Sequence, residues 1–528
     1  MHVNPTKKCR LMSPIKFGML NLLAMKPRRI IMPATIETYS VPSIYAESMY
    51  YSVKADHIGI PVISFLTDRD YDYAHFSFSG STTITITACE PIDTYSISPL
   101  AFEIQGKVVG NKLTFDLQES RYLIVKINQL KELVLIADPL VVSAPPSTGD
   151  GIYHVVADYS ADHTGTTMAT SAIQAAINAA NAAGGGIVYV PEGVFLIGNL
   201  ILKSHVTLYL QGGAVLRASD YKEDYTVDFH KDSLDMDGTW LIQTEPYSTN
   251  IVITGRGTID GNGSWLRANQ RFISNLIVPL QTSNFTIDGI IGRDAGLWAL
   301  IPTRSNHVKI TNYKGFQSLV DYEDDAIDIV ESQHVQVTHT IAISEDDPFS
   351  TKTWNEATDI ARNWPGSPQM LENVTFDDCI AWTCCAAFKV GMGVEQAQRN
   401  VAFTNSYVYQ ASRALAIHHR FGTSTADNIT FENIDIEQVI YTRNGPYWLQ
   451  LEIEESGRGI GPVTHVLLKN IKVRDQGRLP SIIRGTEPFL IEGVTFDQIY
   501  MLGSTKSAAT LEEMNIHINE LCVLQDIR

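Results

Sequence analysis

Cysteine is scarce in this chain, with six in 528 residues, too few and too scattered for a disulfide framework. No Cys/His grouping has zinc-ligand spacing, so no metal is expected. Cys384 and Cys385 are adjacent, and cysteines placed like these read as small buried side chains. Long apolar runs are also missing. None reaches the ~20 residues that span a bilayer, so no membrane partner is expected. Positive charge is in short supply as well: 40 Lys and Arg stand against 58 Asp and Glu, a formal net charge of −18. Recognition of a phosphate backbone needs clustered cations, which argues against nucleic acid. A polyanionic substrate would be repelled unless basic residues were concentrated in a cleft.

The rest of the composition, 44% hydrophobic and 19% charged, is that of an ordered protein. The length exceeds the roughly 250–300 residues at which single cores stop growing, so several domains or an elongated repeat is required. Near the start, Lys7, Lys8, Arg10 and Lys16 precede a short apolar stretch, Phe17 to Met25. This imitates an export signal, but Lys26, Arg28 and Arg29 stand where small cleavage-site residues belong. Residues 1–32 are therefore expected to be a poorly ordered leader, and a cytoplasmic location is favoured over secretion.

Residues 33–142 alternate Val, Ile, Thr, Phe and Tyr with polar residues, as in Thr83-Ile-Thr-Ile-Thr and Lys112-Leu-Thr-Phe-Asp-Leu. Period-2 alternation broken by turn residues predicts short antiparallel strands in a small β-sandwich domain. Residues 143–150, Ser-Ala-Pro-Pro-Ser-Thr-Gly-Asp, read as a linker. An alanine-rich helix is expected over 171–183, with Ile173 and Ile177 on one face and Gly184-Gly-Gly ending it.

From there a short unit recurs: Asn or His, then Val or Ile, one residue, then an apolar one. It starts at Asn250, Asn284, His307, His334, Asn373, Asn400, Asn428 and His465, at intervals of 34, 23, 27, 39, 27, 28 and 37 residues. Such spacing, with loop insertions, is the mark of a solenoid, and strand alternation makes it a β-solenoid over 151–528. Asn tolerates left-handed backbone, so the repeated Asn and His read as turn scaffolding. The helix is expected to cap the solenoid's open end.

Two acidic clusters interrupt the repeats, Glu323-Asp-Asp-Ala-Ile-Asp328 and Glu345-Asp-Asp-Pro348. Asp325 and Asp346 lie 21 residues apart, close to one coil, which would set their carboxylates about 4.8 Å apart along the stack. Crowded carboxylates raise at least one pKa, and such crowding is enriched at catalytic sites. Cleavage of a glycosidic bond needs this pairing, one protonated carboxyl for the leaving oxygen and one carboxylate for water.

At these residues the sequence resembles glycoside hydrolase family 28, the polygalacturonase-like enzymes, and the clan-related dextranase family 49. The resemblance spans about 150–503. It is carried by Asp158-Tyr-Ser-Ala-Asp-His-Thr-Gly, Gly184-Gly-Gly-Ile-Val-Tyr-Val-Pro-Glu-Gly193, Leu202 to Leu216, Ile253 to Asn262, and the two acidic elements. It implies a right-handed parallel β-helix and an inverting hydrolase of a polysaccharide or oligosaccharide that needs no cofactor. Asp346 would be the general acid; Asp325 and Asp347 would position and deprotonate the water. The family's Gly-His-Gly element is missing, and its Arg-x-Lys element matches Ala387-Phe388-Lys389, with the Lys but not the Arg. That departure, with the net charge, favours a neutral or only partly acidic glycan over galacturonan. Further contacts to substrate are expected from Lys352 and Lys389, from Trp354 as a stacking platform, and from His419 or Arg420, since consecutive strand residues face opposite ways. The competing readings are a galacturonan hydrolase, a β-helix polysaccharide lyase and a noncatalytic glycan-binding protein.

Overall fold

The computed structural model describes residues 35–141, 143–442 and 445–528. The leader expected over 1–32 lies outside the described residues. Strands between Thr35 and Pro139 form a six-stranded and a five-stranded sheet. Their facing apolar residues, among them Val53, Ile84, Phe115 and Leu135, make one buried cluster. Pairing is antiparallel except for Leu133–Pro139 against Asp72–Ser79, which is parallel. The Asp72–Ser79 strand is buried along both faces. Ala74, Phe76 and Phe78 enter the sandwich core, whereas Tyr73 packs the other way, against the solenoid.

The solenoid begins at Ile152–His154 and continues to Cys522–Ile527, its strands gathered into a 19-stranded sheet and sheets of four and seven strands. Nearly all of its pairs are parallel, and parallel crossovers take the right hand; the molecule is a right-handed parallel β-helix preceded by a β-sandwich. One continuous apolar cluster runs from Val155 to Ile516. Stacking of like on like builds it: Phe376, Phe403 and Phe431 sit at 4.8 and 5.2 Å, with ring planes within 9°. Helix α1 (Thr170–Ala182) buries Ile173, Ala176, Ile177 and Ala180 against the first coils.

The repeated Asn and His residues all adopt left-handed backbone, with φ from 53° to 57° at Asn250, Asn284, His307, His334, Asn373, Asn400, Asn428 and His465. Their side chains ladder along the axis. Asn284 donates to Asn250 at 3.1 Å, Asn400 to Asn373 at 2.9 Å, and Asn428 to Asn400 at 2.8 Å. His307 and His334 stack at 5.0 Å instead.

Sandwich and solenoid share a second apolar cluster, in which Tyr71, Tyr73, Tyr122 and Ile136 meet Phe316, Ile341, Ile343 and Trp382. A buried polar knot lies beside it. Asp138 accepts from Lys314 Nζ at 2.7 Å and Tyr122 OH at 2.5 Å, with His75 Nε2 at 2.8 Å and Arg256 Nε at 3.3 Å. Burial, reinforced by the neighbouring Lys314, pushes the His75 pKa down from 6.5 to about 4. His75 is thus neutral in the fold but protonates in the unfolded chain, so its contribution is present above pH 6.5 and is lost as pH falls towards 4. One proton of difference is about 1.4 kcal/mol per pH unit in that window. Urea unfolding of His75→Gln between pH 6.5 and 4 should show an acid slope flatter by about that amount. An unchanged slope would assign the acid sensitivity to other groups.

Candidate active site

The site stands on the seven-stranded sheet, whose strands in chain order are β1 (Ile327–Val330), β2 (Phe349–Thr353), β3 (Ala386–Val394), β4 (Arg413–Phe421), β5 (Tyr447–Ile453), β6 (Ser481–Arg484) and β7 (Ile516–Ile518). Register stacks Asp328 on Ser350, Lys389, Ala416, Gln450 and Ile482 in one column. Asp325 precedes β1 and Asp346-Asp347 precedes β2. The Ala326 N–H bonds the Asp347 carbonyl at 3.1 Å, so the 21-residue interval is one rung.

The carboxylates are not equivalent. Asp325 and Asp328 share the Lys352 ammonium, at 2.5 Å each, and Ser350 Oγ takes its third N–H at 2.7 Å. All three donors of that ammonium are used, leaving none for a sugar. Burial, then the neighbouring Asp328, pushes the Asp325 carboxyl well above the ordinary range, against the pull of Lys352. Asp347 goes the other way. Burial alone would raise it, but Lys389, Lys352 and Arg413 together hold its pKa at about 2, with Lys389 Nζ at 2.6 Å from Oδ2. Asp324 accepts the backbone N–H groups of Glu345 and Asp346 at 2.9 and 3.0 Å and so fixes the turn that carries the doublet.

Two cavities meet here. One, of about 770 Å³, contains Asp325, Asp346, Asp347, Lys389, Trp298 and Trp354 in its wall. The other, of about 480 Å³, is lined by Arg413, His418, Arg420, Glu452, Glu454 and Arg484 along β4 to β6. Asp346, Lys389 and Met392 belong to both. The larger cavity is bridged by the segment 355–366, of which Asn355, Ala357, Thr358, Asp359 and Ile360 line it. Lys231 pairs with Glu323 at 3.1 Å and Asp359 at 3.5 Å, and Ser233 Oγ bonds Glu323 at 2.7 Å. Asn363 donates to the Asp228 carbonyl at 2.6 Å. On the opposite side Arg458 reaches Thr358 at 2.8 Å and Glu395 at 2.9 Å. Arg304 holds the far end of the segment through the carbonyls of Trp364, Pro365 and Gly366.

The structure thus brings Asp325, Asp346, Asp347, Lys352, Trp354 and Lys389 to one cavity, and Arg420 to the other. His419 is not among them. It is fully buried, with Nε2 on the Ser424 carbonyl at 2.7 Å; alternation turns His418 to the cleft instead. Trp354 does both things its position allowed, lining the cavity while packing on Trp298 at 6.4 Å and Phe421 at 6.0 Å. Sequence reasoning gave no role to Asp328, a carboxylate inside Ile327-Asp-Ile-Val330, where a buried charge in an apolar strand was itself the signal. It also passed over Arg413.

Among the described residues, Asp346, Asp347 and Cys385 have ligand atoms within 4.8 Å of one another. Burial pushes the Cys385 thiol well up, however. Arg413 Nη2 donates to its sulfur at 2.8 Å and Lys389 holds Asp347. Cations already occupy this carboxylate corner, which suits hydrogen bonding better than metal ligation.

Comparison with known proteins gives a consistent picture. The model of the family described as Glycosyl hydrolases family 28 matches residues 187–522. An exo-poly-alpha-D-galacturonosidase of Dickeya chrysanthemi is 40% identical over 158 residues, 26% of this chain and 25% of that one; the chain spans about a quarter of the length of this curated relative. A family 28 exopolygalacturonase of Yersinia enterocolitica superposes with a TM-score of 0.53 at 16% identity, over 84% of this chain and 96% of its own. Dex49A from Penicillium minioluteum gives 0.61 at 12% identity, over 93% and 96%. At these identities the two structures speak for the fold.

Proposed function

Since the chain belongs to glycosyl hydrolases family 28, matched over 64% of its length by residues 187–522, we propose that it is an inverting glycoside hydrolase acting on a polysaccharide or oligosaccharide. Asp346 is the general acid and gives its proton to the leaving glycosidic oxygen as the C–O bond breaks. Water attacks the anomeric carbon from the opposite face and gives up its proton to Asp347. Asp325, held with Asp328 on Lys352, orients that water. The observation that carries this reading is the position of Asp346 where two cavities join, one rung from Asp325 and beside a carboxylate kept ionised by Lys389. Asp347 has the charge that a base needs at neutral pH.

The bridge over the larger cavity supports action from a chain end, which is also the action named for the Dickeya and Yersinia relatives. A neutral or partly acidic glycan fits the surplus of carboxylates around that cavity. A second reading, hydrolysis of galacturonan, draws on Arg413, Arg420 and Arg484 in the smaller cavity. Proton NMR of fresh digests should show the inverted anomer, with one-unit products from the first time point. Products should lack the ultraviolet band of unsaturated uronates, since hydrolysis removes no ring proton. A retained anomer would remove the direct-displacement mechanism, and long early products would remove the chain-end action.

A further inference from the structure

We infer that the two cavities take different sugars, an uncharged unit against Trp298, Trp354 and Phe421 and a carboxylate-bearing unit against Arg413 and Arg420. The inference rests on the glycoside-hydrolase reading of the same site. Among the described residues lining the larger cavity, seven carboxylates face four cations, and each of those cations already has an acidic partner. Lys231 holds Glu323, Lys352 holds Asp325 and Asp328, Lys389 holds Asp347, and Arg458 holds Glu395. A sugar carboxylate there would lose its water amid surplus negative charge, with no unpaired cation among the described lining residues to compensate it. The aromatic surfaces of Trp298, Trp354 and Phe421 instead suit the apolar face of an uncharged ring.

The smaller cavity is different: among the described residues four cations and three carboxylates line it, with Lys389 shared with the larger cavity and held by Asp347. Arg484 pairs with Glu452. Arg413 gives its terminal amines to Gln450 Oε1 at 2.9 Å and to Cys385 Sγ at 2.8 Å, neither of them a carboxylate. Its buried Nε has no hydrogen-bond partner among the described residues. Arg420, whose side chain is 37% exposed, lies 3.7 Å from Glu454 Oε2, and the acceptor for its Nη1 is the Met392 sulfur at 3.9 Å. Both are poor contacts for a guanidinium. A planar fork of N–H donors at the cavity wall matches the two oxygens of a carboxylate better than a sugar hydroxyl. His418, between Arg413 and Arg420 along β4, is kept neutral by burial and by Lys389, Arg413 and Arg420, so it adds no charge. Since the uncharged half is the bridged one, the substrate is a glycan whose terminal unit is neutral and whose next unit is a uronate. The products are a neutral sugar and a shortened acidic chain.

The test uses the full chain carrying Asp346→Asn, so that binding is read without turnover. Calorimetry compares four disaccharides: a neutral hexose joined to galacturonate in each of the two orders, digalacturonate, and the carboxyl-reduced form of the tighter mixed one. One mixed order should bind about tenfold or more tighter than digalacturonate and than its reduced form, as expected for a charge-assisted pair. Adding Arg420→Met should abolish the advantage over the reduced form while leaving affinity for the reduced form within about twofold. Digalacturonate binding as tightly as the mixed sugars, no effect of carboxyl reduction, equal weakening of both forms by Arg420→Met, or no binding of any of the four would each overturn the assignment. Turnover by the parent chain separates the two readings. Fastest cleavage of digalacturonate leaves a hydrolase and removes the split. The expected binding pattern with no cleavage of the mixed sugar leaves the split and removes the hydrolase.

Discussion

Asp346→Asn is expected to lower turnover by about 10²–10⁴-fold or more, the usual contribution of a positioned general acid, without shifting the thermal midpoint. The amide keeps the size and hydrogen-bonding shape of the carboxyl but has no proton to give, so the leaving oxygen departs uncatalysed. The turn around it is held through backbone N–H groups by Asp324, and the substitution leaves those bonds in place. Initial rates and circular dichroism on the same preparation check both halves. Turnover within threefold of the parent would remove Asp346 as the acid, and a binding protein would show no turnover to lose.

Lys352→Met should act on stability and activity together. Methionine keeps most of the stem but withdraws the one ammonium between Asp325 and Asp328, which are 3% and 0% exposed. Stranding buried carboxylates in this way costs about 3–5 kcal/mol. The pH dependence fixes the cause. Burial already raises both carboxyls above their ordinary range, and loss of Lys352 raises them further. A carboxyl with a raised folded pKa favours the fold most below its unfolded value near 3.9, and that advantage is lost as pH rises through the folded value. The deficit of the variant should therefore be largest at pH 7 and smaller at pH 5, measured as the difference in urea midpoint from the parent at each pH. A variant as stable as the parent at pH 7 would show that Asp325 and Asp328 do not need this charge. Activity should fall as well, since an Asp325 that stays protonated orients water less well.

Much of the architecture was readable because its determinants are local and repeated. A solenoid turn that requires left-handed backbone selects Asn or His at eight successive repeats and Gly493 at the next, and apolar alternation marks the strand that follows. The acidic doublets were readable for the same reason, since the rung length converts a 21-residue interval into adjacency. Other features depend on contacts that no local pattern encodes. The segment 355–366 is tied to Lys231 and Asp228 across more than a hundred residues. Lys352 stands where a substrate cation was expected, yet its N–H groups go to Ser350 and to a pair of carboxylates, one of them hidden in a strand. Alternation along β4 narrowed two histidines to one, but the choice of His418 over His419 needed the register of neighbouring rungs. The parallel pairing of the Asp72–Ser79 and Leu133–Pro139 strands was likewise invisible, because alternation marks a strand but not the direction of its neighbour.

That doubly buried strand makes the two halves of the molecule poor building blocks. Tyr71, Tyr73, Tyr122 and Ile136 point away from their own core, and Asp138 has its ammonium partner on the other half. Severing the chain near residue 145 would bare a greasy flank on each fragment and strand Lys314 in it without a counterion. Grafting this sandwich onto another coil, or expressing the coil by itself, would demand a redesigned seam before either piece stayed in solution.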